Sequence, residues 1–388
     1  MAHRSDRLRV VIAGGGIAAA EAALALRAYA ADRVDIELVA PERKMPFRPA
    51  SAIASFADVS AQHFDLVALA EDVGATFVQD RVEAVAGAAR RVRLASGARR
   101  PYDVLVLALG ARARAAIPGA VTFRDQRDAA QVANVVDDLR RGELGDLVVA
   151  VPFGATWTLP AYELALLAAA EVERLALRSE IVLVTPEQDA LAAFGSAVSG
   201  AVAALLVDRG VRLVCFAPPA AVERDGLRLV DDTLLAADRV IALPVLAGQR
   251  ISGLPQDAGG FVRTTPRGAV TGMPDVYAAG DMTAFPVKQG GLAAQQADAI
   301  AARIAARAGG APLRRRADLV LRAQLFGAPT PLFLEARLDD SGRAIQGGVH
   351  EQAPWWPGAT LFGRHISPWM AEQGLALAAE ELRAARQT

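Results

Sequence analysis

Three consecutive glycines near the N-terminus separate an apolar run from an alanine-rich run. The segment reads VVIAGGGIAAAE from Val10 to Glu21, which is a strand pattern, the turn G-x-G-x-x-A and a helix pattern. In this setting Gly14 permits a tight turn, Gly16 lets the backbone approach a pyrophosphate, and Ala19 lets the helix pack closely on the strand. The chain is therefore predicted to begin with a doubly wound unit that binds a dinucleotide.

A carboxylate stands close to where such a unit holds the adenosine ribose. The next apolar run ends at Ala40, and Glu42 follows it, about 20 residues beyond the glycine turn. Glu42 lies slightly past the expected strand end, so its contact with a ribose depends on the course of the loop.

A second motif lies far along the chain, where the sequence reads VYAAGD from Val276 to Asp281. A short strand there would deliver Gly280 and Asp281 to a site where the carboxylate accepts a hydrogen bond from a sugar-alcohol chain. Gly290 and Gly291 then open an alanine-rich helix, whose N-terminal dipole can stabilise negative charge on a reduced flavin. The two separated motifs indicate that the dinucleotide is FAD.

These motifs, joined by a linking segment, resemble the pyridine-nucleotide-disulfide oxidoreductase superfamily of FAD flavoproteins. The linking segment reads YDVLVLALGA at 102–111 and includes Gly110. Three further stretches are similar to the branch of sulfide:quinone oxidoreductases, flavocytochrome c sulfide dehydrogenases and type II NADH dehydrogenases: FRP at 47–49, PVKQGG at 286–291 and the segment 154–163. The resemblance implies a flavin ring near Arg48, Pro49 and Lys288, although the lysine also fits a solvated helix start.

The chain departs from this branch in its cysteines. In sulfide oxidoreductases, a segment similar to 154–163 carries a reactive cysteine where this chain has Trp157. The chain has one cysteine, Cys215, in an apolar run that predicts a buried strand. Chemistry that needs a redox cysteine pair is therefore excluded, and sulfide oxidation through a cysteine trisulfide is excluded with it.

Strand-like and helical runs alternate along the chain in two successive sets. The predicted fold is α/β, with two doubly wound Rossmann-like dinucleotide-binding domains and a small C-terminal α+β unit. An FAD-binding domain is expected at 1–112 and, after the chain returns, at 260–308. An NAD(P)-binding-like or substrate domain is expected at 113–259, and a C-terminal domain at 309–388.

The sequence leaves open whether the second domain binds a nicotinamide nucleotide. Residues 151–158 lack a second G-x-G-x-x-G, which favours a different substrate pocket. Glu187, however, follows the next strand where a ribose carboxylate would lie, and it would favour NADH by repelling the 2′-phosphate of NADPH. Glu163 and Lys288 are the candidate catalytic residues. Glu163 could position a nicotinamide amide, relay a proton, or only complement a helix dipole.

Composition narrows the range of partners. The 42 basic and 43 acidic side chains give a net charge of -1, so the electrostatic attraction that drives nucleic-acid binding is missing.

No apolar stretch reaches the ~18 residues that cross a bilayer, and no spacing of histidines, acids and cysteine predicts a metal site. The lack of disulfides suits a cytoplasmic protein. The last predicted helix has an apolar stripe, which leaves open peripheral membrane contact, docking on the body, or a homodimer.

Two functional hypotheses follow. In the first, the chain is an FAD enzyme that takes electrons from NAD(P)H or another small donor and passes them to a quinone-like or other small acceptor. In the second, it is a flavoprotein that serves as an electron-transfer or regulatory partner of another protein, without small-molecule turnover. The fold alone cannot choose between them, because function depends on the site.

Overall fold

The fold is described from a computed structural model, which covers residues 7–46, 52–56, 63–124, 128–310, 318–328, 330–355 and 362–373. Arg48 and Pro49, predicted to lie near a flavin ring, fall outside these residues. Most of the last predicted helix, from residue 374 onward, also falls outside them.

In the described residues up to Leu107, the chain forms nine strands and two helices. The helices are α1 (Ile17–Ala30) and α2 (Leu66–Asp72). The strands are β1 (Leu8–Ala13), β2 (Val34–Ala40), β3 (Lys44–Pro46), β4 (His63–Asp65), β5 (Thr76–Gln79), β6 (Val82–Ala86), β7 (Arg91–Leu94), β8 (Arg99–Pro101) and β9 (Val104–Leu107).

The middle of the chain repeats this alternation. Its helices are α3 (Ala129–Arg140), α4 (Leu159–Arg174) and α5 (Ser196–Asp208). Its strands are β10 (Ala111–Arg114), β11 (Val121–Thr122), β12 (Asp146–Ala150), β13 (Glu180–Val184), β14 (Val211–Val214), β15 (Pro219–Glu223), β16 (Gly226–Leu229), β17 (Leu234–Ala236), β18 (Arg239–Ala242) and β19 (Val245–Gly248).

The last part returns to the first unit and then forms a separate sheet. It comprises β20 (Val276–Ala278), α6 (Gly290–Arg307), β21 (Leu319–Leu325), β22 (Leu332–Leu338), β23 (Ala344–His350) and α7 (Ile366–Glu372). The predicted C-terminal strands at 319–324 and 332–337 therefore lie within β21 and β22.

The first sheet is parallel, in the order β20-β9-β1-β2-β5, and β20 joins its edge after the chain has left and returned. Val10 and Ile12 of β1 pack on one face against α1 and α6. Val11 and Ala13 point to the other face, which the antiparallel sheet β6-β7-β8 covers. Because both faces are buried, β1 is a continuous apolar run rather than an alternating one.

The second sheet repeats this plan in the order β11-β18-β12-β13-β14, again parallel. Leu147 and Val149 of β12 pack against helices, and Val148 and Ala150 pack on the side of the antiparallel sheet β15-β16-β17. The predicted duplication of an α/β fold is confirmed. In both copies, a small antiparallel sheet rather than helices covers one face, because strands bury an apolar surface equally well.

The chain crosses between the two units twice, and the two crossings pair with each other. Strands β10 and β19 form an antiparallel ribbon in which Ala111 lies opposite Gly248 and Arg114 opposite Val245. The two units are therefore joined by a hydrogen-bonded ribbon and not by two separate tethers.

The C-terminal sheet is antiparallel, in the order β21-β22-β23. Leu321, Leu334 and Ala336 bury one face of it in the same core as α4 and α5. None of the described helices is long and apolar enough to cross a membrane. The C-terminal sheet packs over the beginning of α4.

Candidate active site

The glycine turn after β1 is fixed by its contact with β9. Gly14 has a φ of +127°, and a Cβ atom there would lie 2.1 Å from the carbonyl oxygen of Ala108. Its N–H donates a 2.8 Å hydrogen bond to the carbonyl of Val39. Only glycine combines this conformation with so close an approach to backbone. The turn therefore delivers α1 to the end of the parallel sheet.

The residues that follow separate into two roles. A Cβ atom at Gly16 would meet nothing within 4 Å, so the beginning of α1 faces open space. The first N–H groups of a helix have no partner within the helix and attract an anionic group. Ala19 is fully buried between α1 and its neighbours and therefore acts through packing alone.

The second motif meets the first at the ends of two helices. Gly280 has a φ of +74°, and a Cβ atom there would lie 3.4 Å from the Cβ atom of Ala18 on α1. Its N–H donates a 2.8 Å hydrogen bond to Oε1 of Gln296 on α6. Gly291 is also tightly packed, since a Cβ atom there would lie 3.2 Å from the carbonyl oxygen of Phe362.

A cavity of about 610 Å³ connects these motifs with the second unit and the C-terminal sheet. It brings together nine of the residues predicted from sequence: Gly14, Gly16, Glu42, Gly110, Glu163, Gly280, Asp281, Lys288 and Gly290. Ala19 and Gly291 do not line it. The cavity lies where the carboxyl ends of parallel strands meet, which is where α/β folds of this kind bind ligands.

Lys288 is buried in the wall of this cavity. Its side chain is 5% exposed, and its ammonium group donates a hydrogen bond to the carbonyl of Thr283. The ammonium lies 4.3 Å from the ring centroid of Phe261. Burial lowers the pKa of Lys288 to about 8, and the nearby carboxylates of Asp281 and Asp257 oppose this shift. The alternative of a solvated lysine at a helix start is therefore wrong.

Glu163 lies in the N-terminal half of α4 and is 5% exposed. Its Oε1 atom accepts one hydrogen bond, of 3.4 Å, from the backbone N–H of Phe326 beyond β21. Burial raises the pKa of Glu163 to about 8, with that hydrogen bond acting in the opposite direction. Burial thus favours the protonated form of Glu163, whereas complementing a helix dipole would favour the ionised form, and the roles considered for this residue stay predictions.

Glu187 has a role that the sequence did not predict. Its carboxylate accepts four hydrogen bonds, from the hydroxyls of Thr158 (3.0 Å), Tyr162 (2.8 Å) and Thr185 (2.9 Å) and from the N–H of Ala192 (3.2 Å). These bonds fill the acceptor positions of a carboxylate. Glu187 therefore holds the first turn of α4 and has no acceptor position left for a ribose hydroxyl, while its preference for NADH over NADPH through charge repulsion stays a prediction.

The loop between β12 and α4 brings Trp157 and Thr156 to the cavity wall. Trp157 packs on Phe194, with ring centroids 6.0 Å apart and ring planes at 50°. The carbonyl of Thr156 accepts a 3.3 Å hydrogen bond from the N–H of Lys288, which ties the second unit to the beginning of α6. This loop therefore forms part of the cavity wall and connects the second unit to α6.

The C-terminal sheet contributes residues that sequence reasoning missed. Gln324 on β21 is 2% exposed and lines the cavity together with Phe326. Gln289 also lines it, and its side-chain amide donates a 3.1 Å hydrogen bond to the carbonyl of Arg322. A polar glutamine in the apolar strand LVLRAQL was the available signal for Gln324.

A cluster of acids and a histidine lies behind the cavity, where α7 packs on α1 and α6. Ligand-type atoms of Glu21, Asp298 and His365 lie within 4.8 Å of one another. The carboxylate of Glu21 accepts hydrogen bonds from the N–H groups of His365 (3.0 Å) and Ile366 (2.7 Å). Asp298 accepts a 2.6 Å bond from the hydroxyl of Tyr29. These groups therefore dock the beginning of α7.

Cys215 follows β14 and is not among the residues that line the cavity. Burial raises the pKa of its thiol, and the carboxylates of Glu187 and Asp189 raise it further. Because the thiolate is the reactive form, this environment disfavours reaction at the thiol. We expect Cys215→Ala to leave the absorbance spectrum of bound flavin and any turnover nearly unchanged. A loss of turnover beyond about tenfold with flavin still bound would contradict this expectation.

Comparison with known proteins places the chain among oxidoreductases. An NADH dehydrogenase-like protein of Mycobacterium tuberculosis is 29% identical over 301 residues, which cover 71% of this chain and 73% of that protein. The sulfide:quinone oxidoreductase of Aquifex aeolicus superposes with a TM-score of 0.78 at 20% identity, covering 88% of this chain and 86% of that one. A ferredoxin reductase of Rhodopseudomonas palustris superposes with a TM-score of 0.65 at 21% identity, covering 85% and 82%.

The resemblance and the fold class predicted from the sequence are both confirmed by these comparisons. A family model described as pyridine nucleotide-disulphide oxidoreductase matches residues 8–304, which include both glycine motifs, the linking segment and the whole second sheet. The chain therefore belongs to the pyridine nucleotide-disulphide oxidoreductase family.

Proposed function

We propose that this protein is an FAD-dependent oxidoreductase that works without redox cysteines. It takes electrons from NAD(P)H or another small donor and passes them to a quinone-like or other small acceptor. The observation that carries the proposal is one continuous cavity, which joins the glycine motifs of the first unit to Glu163 and Lys288.

The residues of the first unit fit FAD. The beginning of α1 at Gly16 is open on its outer side and suits the pyrophosphate, and Glu42 stands exposed at the far end of the cavity for the adenosine ribose. Asp281 suits the sugar-alcohol chain, and the beginning of α6 at Gly290 suits the pyrimidine edge. Bound there, FAD supplies the capacity to accept and release two electrons.

Glu163 and Lys288 give the cavity two groups that hold protons near neutral pH. Both have a pKa of about 8, reached from opposite directions because burial disfavours the charged form of each. Glu163 can donate a proton to an oxygen or hold an amide. Lys288 places a positive charge close to the beginning of α6, where it stabilises negative charge on a reduced ring.

The same proposal assigns one function to each of the predicted domains. Residues 1–112 and 260–308 hold FAD, residues 113–259 present the donor, and residues 309–388 close the cavity. The wall formed by Gln324 and Phe326 supports the last assignment, because it faces the α4 helix of the second unit.

The test is reduction of the flavin by candidate donors in the absence of oxygen. The purified protein is expected to be yellow and to release FAD without a covalent link on denaturation. It is then mixed with NADH or NADPH, and the flavin absorbance is followed by stopped flow. Bleaching within seconds by either nucleotide, followed by recovery on adding a quinone, supports the proposal. Colourless protein that takes up no FAD would overturn it.

The second candidate function is an electron-transfer partner of another protein. Two phenylalanines at the carboxyl edge of the second sheet favour it, since Phe153 is 79% exposed and Phe216 is 70% exposed. Exposed aromatic side chains are common anchors in protein interfaces. Flavin that binds normally, but is reduced by neither nucleotide and passes electrons to no quinone, would favour this candidate over the first.

A further inference from the structure

The first turn of α4 is held from outside the helix. Thr158 stands at its N-cap position, where a threonine hydroxyl usually accepts a hydrogen bond from a backbone N–H of the first turn. Among the described residues, the Thr158 hydroxyl makes no such bond. It donates instead, over 3.0 Å, to the carboxylate of Glu187 in the loop that follows β13. The side chain that would cap the helix therefore ties it to a neighbouring loop.

A second bond ties the other end of the same turn to the same loop. Tyr162 is fully buried, and its hydroxyl donates a 2.8 Å hydrogen bond to Glu187 and accepts one of 3.0 Å from the N–H of Leu191. Leu191 has a φ of +48° and a ψ of +47°, a left-handed conformation that a leucine rarely adopts. Such a conformation persists only where the surrounding structure fixes it, so the loop that holds Tyr162 is itself rigidly placed.

The rotation of this turn determines where Glu163 points. Successive side chains on an α-helix are about 100° apart, so fixing Tyr162 also fixes the direction of its neighbour. Tyr162 is directed to the loop after β13, and Glu163 to the cavity and the end of β21. The one hydrogen bond of Glu163, from the N–H of Phe326, measures 3.4 Å and is too long to orient the carboxyl firmly. The carboxyl is therefore aimed mainly from the opposite side of the helix.

This control does not pass through charge or through a ligand. Burial raises the pKa of Glu163, the N–H of Phe326 opposes the shift, and the charge of Glu187 is not among its causes. Glu187, Tyr162 and Leu191 are also not among the described residues that line the cavity. Any influence of these three residues on Glu163 must therefore be transmitted by the backbone of the first turn.

We infer that Glu187 is a positioning residue for the proposed reaction: through Thr158 and Tyr162 it fixes the first turn of α4 so that Glu163 faces the cavity and stays out of water. This inference rests on the proposed function, which gives Glu163 its part in the reaction. A carboxylate that does not line the cavity thereby sets the proton affinity of one that does.

The test follows the titration of Glu163 in the FAD-loaded protein by infrared spectroscopy, so that no donor or acceptor is required. The band of its protonated carboxyl is the one that is lost in Glu163→Gln. The wild-type midpoint is expected near pH 8. In Glu187→Ala the midpoint should fall by about one pH unit, a tenfold loss of proton affinity, because a loosened turn admits water to the carboxyl. Glu187→Gln should stay within about half a unit of wild type, since its amide oxygen accepts bonds from the same hydroxyls.

Two further variants separate positioning from a general loosening of the helix. Glu171, in the last turn of α4, accepts a 3.1 Å hydrogen bond from Arg140, and Glu171→Ala is the matched control that loosens the same helix at its far end. It should leave the midpoint of Glu163 unchanged. Tyr162→Phe should lower the midpoint in part, and it should add little in the Glu187→Ala background, because both changes remove the same bond.

The outcomes that overturn the inference are distinct. An equal fall in Glu187→Ala and Glu187→Gln would mean that Glu187 acts through its charge. An unchanged midpoint in folded Glu187→Ala, or an equal fall in Glu171→Ala, would mean that it does not position Glu163. If Glu187→Ala yields no folded protein, Tyr162→Phe decides, and an unchanged midpoint there overturns the inference. If wild-type protein takes up no FAD, the proposed function fails, and the same titration of the FAD-free protein then tests the positioning by itself.

Discussion

Gly14→Ala is expected to give a protein that retains no FAD and unfolds at a markedly lower temperature than wild type. The added Cβ atom would lie 2.1 Å from the backbone carbonyl oxygen of Ala108, and the φ of +127° is strained for any residue with a side chain. Neither backbone segment can yield, because β1 and β9 are paired at the centre of the sheet. The expected loss exceeds about 3 kcal/mol of unfolding free energy, measured by thermal unfolding and by FAD content.

Gly16→Ala is the matched control for this prediction. A Cβ atom at Gly16 meets no described atom within 4 Å, so the protein without FAD should unfold at the wild-type temperature. FAD retention should still fall, since the methyl group takes space that the pyrophosphate needs. Equal stability of Gly14→Ala and wild type would show that the turn after β1 differs from the one described.

Glu163→Gln is expected to stabilise the protein without FAD at alkaline pH and to leave it nearly unchanged in acid. The pKa of Glu163 is raised from 4.5 to about 8, so the folded state holds a proton that the unfolded state releases. The stability that this proton contributes is complete below pH 4.5 and is lost as the pH rises through 8. Because glutamine is neutral at every pH, the stability of the variant does not fall in this way.

The difference between variant and wild type should grow from less than about 1 kcal/mol at pH 5 to as much as about 4 kcal/mol at pH 8, given 1.4 kcal/mol for each pKa unit. Melting temperatures measured across this pH range check it. Glu351→Gln, at an exposed position, should show no such trend. A constant difference between Glu163→Gln and wild type at every pH would mean that the carboxyl is already ionised in the folded protein.

The features that the sequence predicted well are set by local geometry. Gly14 and Gly280 each follow a strand and need a backbone conformation that residues with a side chain rarely adopt, so the glycines in the motifs are themselves a structural requirement. The parallel order of the sheets follows from the alternation of apolar strands and helices. Because Lys288 comes two residues before Gly290, the sequence was enough to predict that it lies near the cavity. Its burial depends on how the rest of the fold packs around it.

The features that the sequence did not predict depend on which segments meet in space. Gln324 reaches the cavity because the C-terminal sheet packs on α4, and no local pattern specifies that contact. The position of Glu187 matches that of a ribose carboxylate, and only the fold shows that Thr158 and Tyr162 fill its acceptor positions. Glu21 caps α7 across more than three hundred residues of chain, which a helix pattern cannot reveal.

The antiparallel ribbon β10–β19 limits how the cavity can open. Because each hydrogen-bonded pair joins outgoing chain to returning chain, one crossing cannot bend without the other. Gly248 clamps one end, where a Cβ atom would lie 2.0 Å from the carbonyl oxygen of Gly260. The second unit is therefore held to the first both at this ribbon and at the hydrogen bond between Thr156 and Lys288. Any movement that widened the cavity between the units would have to keep the register of both crossings, because their residues are paired with each other.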